Sequence, residues 1–385
     1  MSSIVRRSLV VTVVIALAAV FWVSAPTSTA EEAVVPPGFT TGKAELRSAT
    51  RLTFGPDDVL FVGDAKSASL FAFQTDDQPA NTPEEIGIQN LDATLAGHLG
   101  VTPRDIAVND MAVHPVSKAI YLAVERGQGE DAVPVILRMA ADGSAIEPIN
   151  LDNIAHARAD LPKAPAADAK DRWGRDLRAM TITDLDFFDG KVWVSGLSNE
   201  EFASHLRIVP FPFDGTVTSS SLEIFHGAHG RWETASPART LLPIDIDGEP
   251  HILAAYTCTP LAVFKVADLK DGAHVKGKTV AELGNRNQPI ELLVTEVEGE
   301  PQVLVLNSTR AGMRIKVADI AKAAAITERE NEMTWGTPYV PMPFGATRHF
   351  SDFDEDNLLL LRRSLTDGSL YIHAWPKNRL AVRKS

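Results

Sequence analysis

The chain has 385 residues, 45% of them hydrophobic and 23% charged, with a formal net charge of −13 and a single cysteine, Cys258. An acidic chain without a basic run repels nucleic acid and anionic lipid, so neither is an expected partner. One cysteine excludes an intrachain disulfide, so stability must come from burial, and a chain of this length can bury a large core.

The first element is a targeting signal. Arg6 and Arg7 precede an apolar stretch from Leu9 to Val23, followed by Ser28-Thr29-Ala30 in the small-x-small form that signal peptidase accepts. Residues 1–30 are therefore expected to be a signal peptide and residues 31–385 the mature domain, periplasmic or secreted. Its removal takes away two arginines and no acid, which moves the formal charge from −13 to −15. Retention as an anchor is the alternative, against which the stretch is shorter than the roughly 20 residues of a spanning helix. The arginine pair leaves twin-arginine export open.

A hairpin then recurs. "RLTFGPDDVLFVGD" begins at Arg51, "DMAVHPVSKAIYLAVER" at Asp110 and "DLDFFDGKVWVSG" at Asp184. "TLLPIDIDGEPHILAAYT" follows at Thr240, "ELLVTEVEGEPQVLVLNS" at Glu291 and "HFSDFDEDNLLLLRRS" at His349. Each is a strand, a turn of Asp, Gly, Pro or Ser, and a more apolar second strand; Asp189-Gly190 suits a two-residue turn with positive φ at both positions. Most are followed by a third strand, such as "PVILRMAADG" or "LAVFKVADL", and some by a fourth, such as "SLEIFHGA" or "KTVAELGN". Six recurrences of four short antiparallel strands define an all-β chain, a single β-propeller of six blades, with seven as the alternative.

The hairpin anchors lie about 51 to 74 residues apart, longer than a compact blade, so the loops carry insertions. The longest gap, "DNIAHARADLPKAPAADAKDRWGRDLRAM", is expected to be a partly helical surface excursion, and "VADIAKAAAITERENEM" a short helix. For ring closure, the last blade is expected to take a strand from around Phe39 to Leu46 or from "NRLAVRK", because an open edge invites aggregation.

The stretch "FGPDDVLFVGDAKSASLFAF" resembles the blade signature of secreted bacterial propellers of the gluconolactonase-like, NHL-like and quinoprotein-like kind, and the pattern runs over most of residues 40–376. "LSNEEF", "AAYTCTPL" and "ELGNRNQP" resemble marks of a narrower family of secreted proteins. The resemblance implies architecture more than chemistry.

In a propeller the first strand of each blade lines the axis. Aligning the hairpins by their turns places Arg51, Asp110, Asp184, Thr240, Glu291 and His349 at equivalent entry positions, with Asn109, Thr183, Arg239 and Arg348 beside them. These groups either pair with one another and plug the channel, since buried charges need partners, or serve a ligand or metal. Loops after the second strands add Asp64, Glu125, Arg126, Asn199, Glu200, Cys258, Asn307, Arg310 and Arg362 on the same face. Loops entering the inner strands add Arg178, Arg231, Glu233, Asn285, Arg286 and Asn287. The arginines suit a carboxylate or phosphate.

Two metal sites come into view. Asp110, Asp184 and Glu291, with Asn109 or Asn285, make an all-oxygen set suited to calcium. The gluconolactonase-like resemblance implies a divalent ion near the axis that polarises a carbonyl, although Arg51 and His349 in the ring depart from that pattern. His226, His229 and Cys258 make a set for copper or zinc; the bland alternative is a Gly-rich loop and a small buried thiol. Haem-attachment, Walker, zincin and Gly-x-Ser-x-Gly motifs are absent, and "DFDEDN" lacks the glycine and distal glutamate of a calcium loop.

Three function classes follow. The first is a secreted or periplasmic propeller binding a small anionic ligand or an envelope protein at its polar loop face. The second is a metal-assisted, lactonase-like hydrolase on sugar acids using Asp110, Asp184 and Glu291. The third is a quinoprotein-like oxidoreductase or electron-transfer accessory holding pyrroloquinoline quinone through arginines and His349.

Overall fold

The recurring hairpins pack as the inner halves of six antiparallel sheets set in a ring, a six-bladed β-propeller, in the computed structural model, which describes residues 36–78, 86–258 and 260–381. The signal peptide expected over residues 1–30 lies outside the described residues. Among the described residues no helix is long and apolar enough to cross a membrane.

The inner strands, in chain order, are Arg51–Phe54, Ile106–Val113, Asp184–Phe188, Ala238–Ile246, Pro289–Val297 and Thr347–Asp352, and they number the blades one to six. Each pairs with a second strand, among them Val59–Asp64 and Lys191–Leu197, whose residues are almost all buried. The reason is that a second strand has a neighbouring blade on each side. Val59 and Phe61 face blade three, whereas the alternate residues Leu60 and Val62 face blade two. Six apolar clusters result, one in each gap between adjacent blades. The turns of blades three to five are the two-residue kind: Asp189-Gly190, Asp247-Gly248 and Glu298-Gly299 all hold positive φ, the geometry that matches strand twist.

Ring order departs from chain order. Contacts between inner strands run from blade two to one, then three, four, five and six, and back to two. Blade one, after its third strand Ser69–Gln74, hands the chain across blade two to Gly87–Ile88, the outer strand of blade six. The helix Leu91–Leu99 then leads into blade two, burying Leu91 and Leu95 in the gap between blades six and two. After blade two the chain returns as Ile154–Asp160, the fourth strand of blade one, and Thr40–Gly42 pairs outside it.

Three expectations change accordingly. Closure uses Gly87–Ile88: the segment near Phe39 caps blade one instead, Lys377–Leu380 is a 3-10 turn, and the last four residues lie outside the described ones. The long Ala/Pro excursion begins as a blade strand, because Ala157 and Ala159 pack inward, and beyond it only Arg178–Met180 is helical, as a 3-10 turn. The helix Leu91–Leu99 was not among the expected elements, whereas the expected short helix spans Val317–Lys322. Sheets carry four to six strands: His274–Lys276 adds in parallel to the outer strand Thr218–His226 of blade three.

Candidate functional site

One residue of each inner strand reaches the axis: the first in blades one and three, and an internal residue in the other four, where the backbone makes room for it. In blades two, four, five and six the residue just before it is extruded as a β-bulge, at Asn109, Arg239, Ile290 and Arg348. Such an extra residue re-aims its neighbour. Arg51, Asp110, Asp184, Thr240, Glu291 and His349 therefore meet on one circle. In ring order they alternate acid and non-acid: Asp110, Arg51, Asp184, Thr240, Glu291, His349.

That alternation is a latch. Each acid accepts the backbone N–H that follows the non-acid position of a neighbouring blade. Asp110 Oδ2 takes Leu52 N at 2.7 Å, Asp184 Oδ2 takes Leu241 N at 2.8 Å and Glu291 Oε2 takes Phe350 N at 2.8 Å. The remaining gaps are bridged by side-chain contacts in two cases: Arg51 Nε lies 3.7 Å from Asp184 Oδ1, and His349 Nδ1 lies 3.2 Å from Asp110 Oδ1. Asn109 Nδ2 adds a bond to Ala49 O, and Thr183 Oγ1 one to Ala238 O, across the blade pairs that Asp110 and Asp184 already join.

The ring is the floor of a cavity of about 790 Å3. The cavity follows the inner strands from the ring to the hairpin turns, past Thr53, Asp186 and Leu293 to Pro56, Pro115 and Glu355. It is lined by seven carboxylates, Asp110, Asp184, Asp186, Glu291, Asp352, Asp354 and Glu355, against three cations, Arg51, Lys118 and Lys377. Lys377 is held at 2.6 Å by Asp352. Burial pushes Asp184 up to about 6, with Arg51 opposing. Burial and the charge of Asp184 push Asp186 up to about 7. Burial, followed by the charge of Asp110, raises Glu291 well above the usual carboxylate range. Asp186 was missed in the sequence, yet a strand has period two, so "DLD" places it on the same face as Asp184.

Asp110, Glu291 and His349 bring ligand atoms within 4.8 Å of one another. Asp184, expected with them, is held by Arg51 and Leu241. Two carboxylates and an imidazole fit an ion such as Zn2+ or Mn2+ better than Ca2+, which takes six to eight oxygens.

The other candidates do not line the axial cavity, and several guanidiniums are occupied by carbonyls. Arg178 donates to Ala65 O, Lys66 O and Pro165 O, Arg310 to Asn285 O and Arg362 to Gly345 O. Arg348 is exposed, as are Asn199, Asn285 and Arg286. Arg239 is half-buried, its Nε without a hydrogen-bond partner, and burial and the nearby Arg51 lower its pKa. Asp64 caps the loop at Arg47 N, Ser48 Oγ and Ser67 N, and Asn307 bonds Asn287 and Ala311 O. Glu125 and Arg126 end a second strand, and Glu200 pairs with Lys163.

A second cluster forms between blades three and four. His226 and His229 lie with ring centroids 3.9 Å apart and planes tilted by 40°, and their Nδ1 atoms lie 2.9 and 2.8 Å from the two oxygens of Glu233. Against the cost of burial, hydrogen bonds from His226, His229 and Arg231 hold Glu233 down at about 2. Cys258, expected with the imidazoles, is tied through its backbone N–H to Asn287 O, and Glu233 takes its place in the group.

No known family model matches the chain, and no curated protein matches it by sequence.

Proposed function

We propose that this chain is a binding propeller whose axial chamber takes a small positively charged ligand. The observation that supports it is the excess of carboxylates over cations lining the axial chamber, with Asp186 half-buried and without an ion-pair partner among the described residues. Burial raises Asp184, Asp186 and Glu291 first, and the charge of neighbouring carboxylates adds to it; a cation in the chamber would offset both. The anionic ligand expected from the loop arginines has less support, because Arg178, Arg310 and Arg362 already donate to backbone carbonyls.

A metal-assisted reading is favoured by one feature, the group of Asp110, Glu291 and His349. When bound, the ion would polarise a ligand oxygen, and the residues above the floor would orient that ligand. Calorimetry with small diamines, with Mn2+ or Zn2+, and with sugar acids separates these. Amine binding that Asp186→Asn abolishes supports the first reading. Metal binding lost in His349→Ala supports the second, and binding of sugar acids alone would overturn both.

A further inference from the structure

The cluster between blades three and four has the parts of a separate metal centre. His226 ends the outer strand of blade three, and Glu233 lies in the short strand Arg231–Glu233 that folds back on it. Glu282 ends Lys278–Glu282 of blade four. A carboxylate oxygen can only accept from an imidazole N–H, so Glu233, by holding both Nδ1 atoms, leaves the Nε2 lone pairs of His226 and His229 to face outward from it. Carboxylate–histidine pairs of this kind orient metal-bound imidazoles.

Two buried atoms lack partners. His226 Nε2 and Glu282 Oε2 are each without a hydrogen bond, and both side chains are 3% exposed. They lie 4.0 Å apart, too far for a hydrogen bond. An ion bonded to each at about 2.0–2.2 Å would sit between them, drawing the two atoms together by roughly half an ångström to reach tetrahedral angles. Glu282 is aimed there, because Gly227 N holds its other oxygen at 2.6 Å. A Cβ at Gly227 would sit 3.0 Å from that oxygen, a tight contact that glycine avoids. His229 is half exposed and opens the cluster to solvent. The other charged groups near it are Arg231, which donates to Glu233, and Arg329, packed against Gly230.

We infer that His226 and Glu282, joined by the half-exposed His229 once its side chain closes on the ion, bind a divalent transition ion of the zinc class, with Glu233 as the positioning residue for the imidazoles and one coordination site open to solvent. The ion would cross-link the outer edges of two neighbouring blades. Imidazole with carboxylate suits such an ion, and buried unpaired polar atoms are what it satisfies.

The test uses the full chain stripped with chelator and titrated with Co2+ or Zn2+ alone, in a His349→Ala background so that the axial group contributes nothing. The expected result is one ion per chain, a Co2+ visible spectrum of low coordination number, and a higher melting temperature with the ion. His229→Ala, a half-exposed change, should remove the spectrum and the melting shift. Glu233→Gln should weaken binding by roughly 10–100-fold. If His226→Ala or Glu282→Gln unfolds the protein by circular dichroism, the His229 variant decides alone. Absence of a bound ion, or uptake unchanged in His229→Ala, overturns the proposal.

Discussion

Asp186 carries the plainest consequence of crowding carboxylates on an axis. Its folded pKa of about 7 lies above the ordinary 3.8, so between those values the native state binds more protons than the unfolded one. Stability from this group is full below pH 3.8 and is lost as pH rises through about 7. Asp186→Asn removes the titration, so urea melts across that window should show a flatter profile and, above pH 7, a gain of about 1–2 kcal/mol, discounted for partial solvation. A variant with the same slope as the parent would place the raised group elsewhere. By the same linkage, a cationic ligand should bind more tightly as pH rises through the range in which Asp184 and Asp186 ionise. At Gly196 the constraint is steric: a Cβ there would lie 1.9 Å from Thr181 O, whereas Gly42 has nothing within 4 Å. Gly196→Ala should cost about 3 kcal/mol or more, as other overpacked sites do, and Gly42→Ala close to nothing, both read by denaturant midpoints.

Between elements, the latch acids work as acceptors first and as charges second. Glu291→Gln keeps an oxygen for Phe350 N and sheds a buried negative charge, so its melting temperature should match or exceed the parent's. Glu291→Ala orphans that N–H and should cost about 1–3 kcal/mol. Equal losses in both would mean that the charge, not the acceptor, holds blades five and six together. The crossover from blade one to blade six is pinned in a similar way. Asp77, buried, accepts from Ser117 Oγ, Tyr121 OH and Arg138 Nε on blade two, and Asp77→Ala should therefore cost about 3 kcal/mol by leaving these donors unpaired. What could be read in the sequence follows the same division. Hairpins were legible because alternation and Asp-Gly turns are local, and the six entry positions followed from aligning those turns. The bulges at Asn109, Arg239, Ile290 and Arg348 were not, because a bulge depends on the partner strand's register. Gly87–Ile88 is too short to show a period, and Glu282 reads as an ordinary strand end until blade three is packed beside it.

For the whole molecule, the strand that the first half of the chain lends to blade six helps make the ring one cooperative unit. Residues before the exposed loop around Trp173 supply blades one and two and the outer strand of blade six; residues after it supply blades three to five and the rest of blade six. The halves touch across two apolar gaps, that between blades one and three and that between blades six and two, and each half alone would expose both. Surface of that kind, left open, does not support a stable native state. The loop itself carries little: Arg172, Trp173 and Arg175 are exposed, with contacts to one another and to Asp171. Cleavage at a protease site placed between Arg172 and Arg175 should therefore leave the two pieces together on gel filtration, with a single melting transition near that of the intact chain. Separated in denaturant, neither piece should regain a cooperative melt by itself, and mixing should restore it. A C-terminal piece that folds alone would mean that blades three to six form an independent arc, and that the strand Gly87–Ile88 decorates the ring without closing it.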